Sequence, residues 1–281
     1  MEKTCIDIHT HTIFSYDGEN SPAEMLETAQ KKGLAYYGVS EHFDYDYDIS
    51  LMSQELYKET RNRDTEEYFY TLRQWQKAYE GVMKVIVGSE FAYSEKASAQ
   101  ERYRATYEKY RPDYVINSVH SMDGVDFAYA DYEKNAEFYA NKQWIFGEYL
   151  RLIRASLDAP YPYDIVGHIG YAARYVPFED KSISLEEFGE QIDDILLTII
   201  QKDKILEINS ANKTLPNCTL PAEPIIQRYF ELGGRKVSFG SDAHFVERIA
   251  DKYDEVVEML KKIGFTYFTV PFRGEHIKVE F

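Results

Sequence analysis

Cysteine is nearly absent: Cys5 and Cys218 are the only two in 281 residues. Neither belongs to a Cys-x-x-Cys pair, which excludes a disulfide scaffold and a thiolate zinc site and suits a reducing, cytoplasmic setting. Positive charge is short as well. Lys and Arg number 32 against 48 Asp and Glu, a net charge of −16. That balance argues against a nucleic-acid polymer as partner and against docking on anionic membranes. No apolar run is long enough for a membrane span, and Met1–Glu2–Lys3 lead toward the first strand without a signal-like stretch. Repeats, low-complexity tracts and Pro/Gly-rich linkers are missing too, so one domain is expected over residues 1–281.

What the chain has is a regular alternation of apolar runs and amphipathic stretches. Strands are expected at Cys5–Ile8, Ala35–Ser40, Met83–Gly88, Tyr114–Val119, Asp164–Gly167, Ile205–Asn209 and Lys236–Gly240. Between them lie helical patterns. The first opens on the capping box Ser21–Pro22–Ala23–Glu24 and stops at Gly33. Others cover Asp64–Glu80, Ala97–Tyr110, Tyr132–Leu157, Leu185–Lys202, Pro224–Leu232 and Ile249–Ile263, before a strand-like tail at Tyr267–Val270. Seven such alternations predict an α/β fold with a parallel sheet closed into a distorted (β/α)7 TIM-like barrel; an open doubly wound sheet is the alternative. The alternating Phe43–Asp48 segment is expected to be a solvated acidic loop. The 25 tyrosines are expected to pack helices on the barrel, rings buried and hydroxyls wet.

Six of the seven histidines follow strand ends: His9, His11, His42, His120, His168 and His244. Glu90 and Asp242 do the same. His9 and His11 are two apart at the end of a strand and so share a face. In a parallel barrel all C-terminal strand ends meet on one face. Imidazoles mixed with carboxylates and without cysteine suit Zn²⁺, Mn²⁺ or Fe²⁺. With Asp17, nine candidate ligands are too many for one ion, so two or three divalent metals are expected. Three carboxylates against three divalent ions would leave the pocket at about +3, a receptor for phosphate inside an acidic protein.

These residues form a series: His9–Thr10–His11 with Asp17, Glu41–His42, Gly88–Ser89–Glu90, Ser118–Val119–His120, Gly167–His168 and Ser241–Asp242–Ala243–His244. In order and spacing the series resembles the motifs of the PHP (polymerase and histidinol phosphatase) superfamily, over almost the whole chain. Glu207–Ile208–Asn209–Ser210 and the length resemble its histidinol-phosphate phosphatases. The resemblance implies a distorted seven-stranded barrel with a trinuclear site. By motif position, His9, His11, Glu90 and Asp242 would hold one metal. Glu90 would bridge to a second, held by His120 and His168, and Asp17, His42 and His244 would hold a third. Glu90, Asp242 and His244 are the residues expected to carry catalysis.

The expected reaction is hydrolysis of a small phosphate ester, L-histidinol phosphate by the resemblance. Two metals sharing a water would give hydroxide near neutral pH, which attacks phosphorus in line with the leaving alkoxide. Arg174 is expected either to clamp the phosphate or to form a surface pair with Glu179 or Asp180. Asn209 and Lys213 follow the sixth strand, Asn209 as a substrate contact or a turn residue and Lys213 exposed. Asp7 and Glu41 would orient ligand imidazoles, and His276 would be a plain exposed histidine. A phosphatase or phosphodiesterase on nucleotides or other small esters is the second reading, and a non-catalytic metal-binding module the third. Nothing in the sequence sets an oligomeric state.

Overall fold

The computed structural model describes residues 5–47, 64–132, 140–211 and 219–281. In chain order the first half contains β1 (Cys5–Asp7), α1 (Pro22–Lys31), β2 (Leu34–Val39), β3 (His42–Phe43), α2 (Thr65–Ala78), β4 (Lys84–Ala92), α3 (Ala97–Tyr110) and β5 (Tyr114–Ser118). The second half adds β6 (Ser121–Met122), β7 (Val125–Asp126), α4 (Lys142–Ser156), β8 (Ile165–Val166), α5 (Leu185–Gln201), β9 (Ile205–Asn209), α6 (Glu223–Glu231), β10 (Val237–Gly240), α7 (Tyr253–Ile263), β11 (Tyr267–Phe272) and β12 (Glu275–Glu280).

Seven parallel strands pair in the order β1-β2-β4-β5-β8-β9-β10, with β3 pairing onto the end of β4. The ring is nearly closed by backbone bonds just beyond β1 and β10. The Ile8 N–H donates to the Phe239 carbonyl at 3.1 Å, and the Asp242 N–H to that of His9 at 2.8 Å. His11 donates to Ala243 at 2.8 Å. An open doubly wound sheet has no such seam, so the barrel stands as the sequence pattern predicts, a single α/β domain.

Local rules account for the elements. Ser21 and Glu24 exchange both bonds of the capping box at the start of α1. Strand side chains such as Ile6, Val39, Ile86, Ile116 and Ile208 are fully buried, each contributing about 1.5–3 kcal/mol on leaving water. Tyr114 crosses the barrel to donate its hydroxyl to the Ile8 carbonyl at 2.5 Å. Glycine is required beside it: a Cβ at Gly38 would stand 2.5 Å from that hydroxyl, and one at Gly88 2.4 Å from the ring. The tyrosines thus depart from expectation. Tyr68 donates to the Gly88 carbonyl at 2.7 Å and Tyr163 to that of Leu157 at 2.8 Å, both buried. A buried phenol must find an acceptor, and main-chain carbonyls of strand and helix end supply it.

Two stretches differ from the sequence pattern. The helix expected over Tyr132–Leu157 is realised as α4 only, residues 133–139 lying outside the described ones. Ahead of it, β6 and β7 form a small antiparallel hairpin about Asp123–Gly124, both at positive φ (52° and 79°). That Asp-Gly pair is the sequence signal for such a turn. At the opposite end of the barrel, the β11–β12 hairpin sends Arg273 onto buried Asp113 at 2.7 Å, which Arg73 also meets at 2.6 Å.

Candidate metal centre

The ligating groups gather at the C-terminal ends of the barrel strands, most just past the last apolar residue, while Glu90 lies inside β4 ahead of Phe91 and Ala92. Glu90, the seventh residue of the long β4, is fully buried at the middle. Its Oε2 lies 3.4 Å from His9 Nε2 and 3.6 Å from His11 Nε2. Asp242 Oδ1 lies 3.7 and 3.4 Å from the same two nitrogens. Ligands placed tetrahedrally at the ~2.0–2.1 Å of zinc–nitrogen and zinc–oxygen bonds stand about 3.4 Å apart. The four nitrogen–oxygen distances match that spacing, and atoms of His9, His11 and Glu90 all lie within 4.8 Å of one another.

The other oxygen of Glu90 faces a second group. Oε1 is 2.8 Å from His168 Nε2 and 3.1 Å from His120 Nε2, and the two nitrogens are 3.1 Å apart. A third group adjoins. His42 Nε2 and His244 Nε2 are 3.3 Å apart and face Asp17 Oδ1 and Oδ2 at 3.6 and 3.2 Å. His42 Nδ1 is 2.8 Å from Glu90 Oε2, which joins this group to the first. All nine residues singled out from the sequence therefore lie in one cluster.

The atoms present fit divalent ions. His9 Nε2, His11 Nε2 and Glu90 Oε2 are buried without a hydrogen-bond partner, at about 1–3 kcal/mol for each such atom. Three of them converging on one point form a place for a cation. Burial and the neighbouring His42 and His244 rings push His11 well below its usual pKa, and burial also lowers His168. For both, the shift favours the neutral ring that ligation requires. Burial opposes ionisation of Glu90 and Asp242, yet the surrounding imidazoles, with Arg174 beside Asp242, hold both well below the usual carboxylate range. Burial lowers His42 too, but Asp17 and Glu90 override it and push it up to about 9. The carboxylates draw positive charge to this spot, which metal ions would supply.

Groups behind the ligands fix their rings. His9 Nδ1 is 2.5 Å from Glu207 Oε1. His11 Nδ1 meets Ser15 Oγ at 3.0 Å, and the Ser15 hydroxyl donates to Glu41. Glu41, pushed up to about 7 by burial against the pull of Ser15 and Thr12, thus reaches a ligand through an intermediary. His120 Nδ1 lies 3.2 Å from Asp44 Oδ1, whose side chain is only 3% exposed. Asp44 corrects the expectation of a solvated acidic loop. Among the described residues Asp7 meets no imidazole. It accepts the Ser241 N–H at 3.0 Å and the Ala250 N–H at 2.8 Å, as well as the Ser241 hydroxyl. It thereby holds the backbone next to Asp242, a non-glycine residue at φ 53° whose strain of about 1–2 kcal/mol needs such support.

Arg174 donates to Asp242 Oδ2 at 3.2 Å and to Asn209 Oδ1 at 3.0 Å. Asp180 instead meets Lys142 at 2.6 Å, which removes it as the surface partner expected for Arg174. Asn209 also accepts the Ala211 N–H at 2.9 Å, so it serves the turn and the site together. His276 is half-buried against Lys236 Nζ at 2.8 Å rather than plainly exposed. Lys213 and Cys218 lie outside the described residues. Sequence reasoning passed over Arg248, which shares with Asp17, Arg174, Asp242 and His244 the lining of a cavity of about 460 Å³ over the cluster. It also gave no role to Glu207, although a lone carboxylate inside the apolar strand Ile205–Asn209 is a signal in itself. A larger cavity, about 570 Å³, opens at the other end of the barrel among Arg73, Lys84 and Phe272 and holds none of these groups.

A parallel barrel whose strand ends pool imidazoles and carboxylates about a shared glutamate is the architecture of the metal-dependent barrel hydrolases. Within that class the chain belongs to the PHP domain family, whose family model matches residues 7–211. It is 29% identical over 253 residues, 90% of its length and 91% of the relative's, to the "Probable histidinol-phosphatase" of Clostridium acetobutylicum. It is 27% identical over 265 residues to the histidinol-phosphatase of Lactococcus lactis, covering 92% of this chain and 91% of that one. Among solved structures it is similar to the Lactococcus lactis histidinol phosphate phosphatase complexed with zinc, L-histidinol and phosphate. That likeness has a TM-score of 0.79 at 25% identity over 97% of this chain and 98% of the other. No helix among the described residues is long and apolar enough to cross a membrane.

Proposed function

We propose that this chain is a metal-dependent phosphomonoesterase that hydrolyses L-histidinol phosphate to L-histidinol and phosphate, a step of histidine biosynthesis. The observation that carries the reading is Glu90, buried and offering one oxygen to His9 and His11 and the other to His120 and His168. A carboxylate so shared is what a multinuclear centre needs. Likeness to a zinc-containing histidinol phosphate phosphatase over nearly the full length supports the substrate.

In this reading His9, His11, Glu90 and Asp242 hold one ion, Glu90, His120 and His168 a second, and Asp17, His42 and His244 a third. Bound divalent ions would supply an activated water and neutralise charge on the phosphoryl oxygens. The chain's own part is to hold that geometry and to place the ester. Arg174, 10% exposed and tied to Asp242 and Asn209, lines the cavity where a phosphate would sit. Asp242 receives one arm of that fork, so ligand and clamp are set together. The partner is a small phosphorylated metabolite rather than a nucleic-acid polymer, and a cytoplasmic setting suits a chain with two cysteines.

The test is phosphate release by zinc-, manganese- or iron-loaded protein from L-histidinol phosphate against a panel of sugar and nucleotide monophosphates. A kcat/KM of ~10⁴ M⁻¹s⁻¹ or more for histidinol phosphate, with the panel far behind, is expected. Activity spread evenly across the panel would remove the histidinol assignment and leave a general phosphatase. Metal binding with no turnover of any ester would remove catalysis.

A further inference from the structure

Glu207 stands on β9, and β10 lies between it and β1, the strand that leads into His9. The carboxylate nevertheless reaches His9, because β10 has a gap at Gly240. A Cβ there would stand 2.4 Å from Glu207 Oε1 and 2.5 Å from His9 Cβ. Through that gap Oε1 meets His9 Nδ1 at 2.5 Å, while Oε2 accepts the backbone N–H of His168 at 2.5 Å. Glu207 is 1% exposed.

We infer that Glu207 is a positioning residue that holds His9 with a proton on Nδ1 and its Nε2 turned to the ion site, and that ties the His9 side of the centre to the His168 side. A carboxylate is an acceptor only, so the imidazole nitrogen facing it carries the proton. The opposite nitrogen, His9 Nε2, is then the atom that an ion would take. It is buried without a hydrogen-bond partner and points at Glu90 Oε2 and Asp242 Oδ1 at 3.4 and 3.7 Å. The inference rests on the metal reading above and is independent of the substrate.

Glutamine is the discriminating substitution because it keeps the shape and changes the chemistry. Both oxygens of Glu207 accept, Oε1 from His9 and Oε2 from His168 and, at 3.4 Å, from the Asn209 amide, and a glutamine has one acceptor oxygen and one donor NH₂. With its oxygen toward His9, its NH₂ opposes the His168 N–H and pushes that ligand away. With its NH₂ toward His9, the ring must switch its proton to Nε2 and can no longer ligate through it. Either orientation weakens an ion that Glu207 never touches.

The experiment titrates metal-free wild type and Glu207→Gln with Zn²⁺ against a chromophoric chelator, with circular dichroism to check the fold. Loss of about 10–100-fold in affinity for at least one ion, with the far-ultraviolet spectrum retained, is expected. Wild-type zinc affinity at every step in E207Q would overturn the inference. Should E207Q fail to fold, long-range ¹H–¹⁵N spectra of ¹⁵N-histidine-labelled, metal-free wild type decide it. The His9 ring, assigned by its loss in His9→Gln, is expected with a proton on Nδ1, and a ring whose Nδ1 carries none would overturn the inference. A wild type that binds no zinc would refute the proposed function, while the tautomer spectrum would still decide the role of Glu207.

Discussion

Glu90 Oε1 stands 2.8 Å from His168 Nε2 in a fully buried setting, while the second oxygen of the same carboxylate faces His9. One side chain thus belongs to two groups of ligands at once, and much of the site's behaviour follows from it.

Replacing Glu90 by glutamine removes a charge shared by two ions and puts an NH₂ against imidazole nitrogens. Activity should fall by about 10³-fold, since several kcal/mol of charge stabilisation is lost at 1.36 kcal/mol per factor of ten. Metal analysis should show at least one ion missing. A fully metallated, fully active E90Q would contradict the bridging role.

Arg174 should matter for phosphate more than for metal. Its hydrogen bonds to a charged group are worth about 1.5–3 kcal/mol, so Arg174→Ala should weaken inhibition by inorganic phosphate about 10–100-fold, a larger effect than on metal content. Arg174→Lys should recover only part of this, because the ammonium cannot reproduce the planar fork that spans Asp242 and Asn209.

Chelation should destabilise the protein. Ions bound by the folded chain alone add about 4 kcal/mol when present at 1,000 times their dissociation constant. A chain of this size gains roughly 2–4 °C in melting temperature per kcal/mol. Thermal melts with and without Zn²⁺ should therefore differ by about 10 °C, and a shift that survives His9→Gln combined with E90Q would place the stabilising ion elsewhere.

The far end of the barrel offers a pH test free of metal. Burial would raise Asp113, but the Arg73 and Arg273 guanidiniums override it and hold the carboxyl below its ordinary 3.8. A lowered folded-state pKa contributes stability above the unfolded value, which is lost as pH falls through the folded one. Asp113→Asn should cost about 2–3 kcal/mol in urea unfolding at pH 7. The gap should hold down to about pH 5 and close below pH 3.8. A gap that persists at pH 2 would show that the charge is not its source.

Much of this centre can be read in the sequence because ligands in a parallel barrel obey a local rule: they follow an apolar run. Asp242 and His244 after Phe239–Gly240, and His168 after Ile165–Val166, are visible without any tertiary knowledge. The strands are visible for the same reason, with β9 (Ile205–Asn209) found to the residue. What the sequence hides is pairing across the barrel. Glu207 and His9 are 198 residues apart, and nothing local says that Gly240 opens the way between them. Asp44 was hidden by its neighbourhood, a run of Tyr and Asp with the composition of a loop, although the pairing of His42 with Glu90 in β3–β4 draws it under His120. Asp7 misleads in the opposite sense. Two residues from a ligand, it turns instead to Ser241 and Ala250, where a strained Asp242 needs its backbone held.

The most direct measurement is anomalous diffraction from crystals of the metal-loaded protein, collected at the metal absorption edge. The account predicts at least two peaks within the cluster. One should lie among His9, His11 and Asp242 and the next between His120 and His168, with Glu90 touching both. A single peak that Glu90 does not touch, or none among these residues, would contradict it.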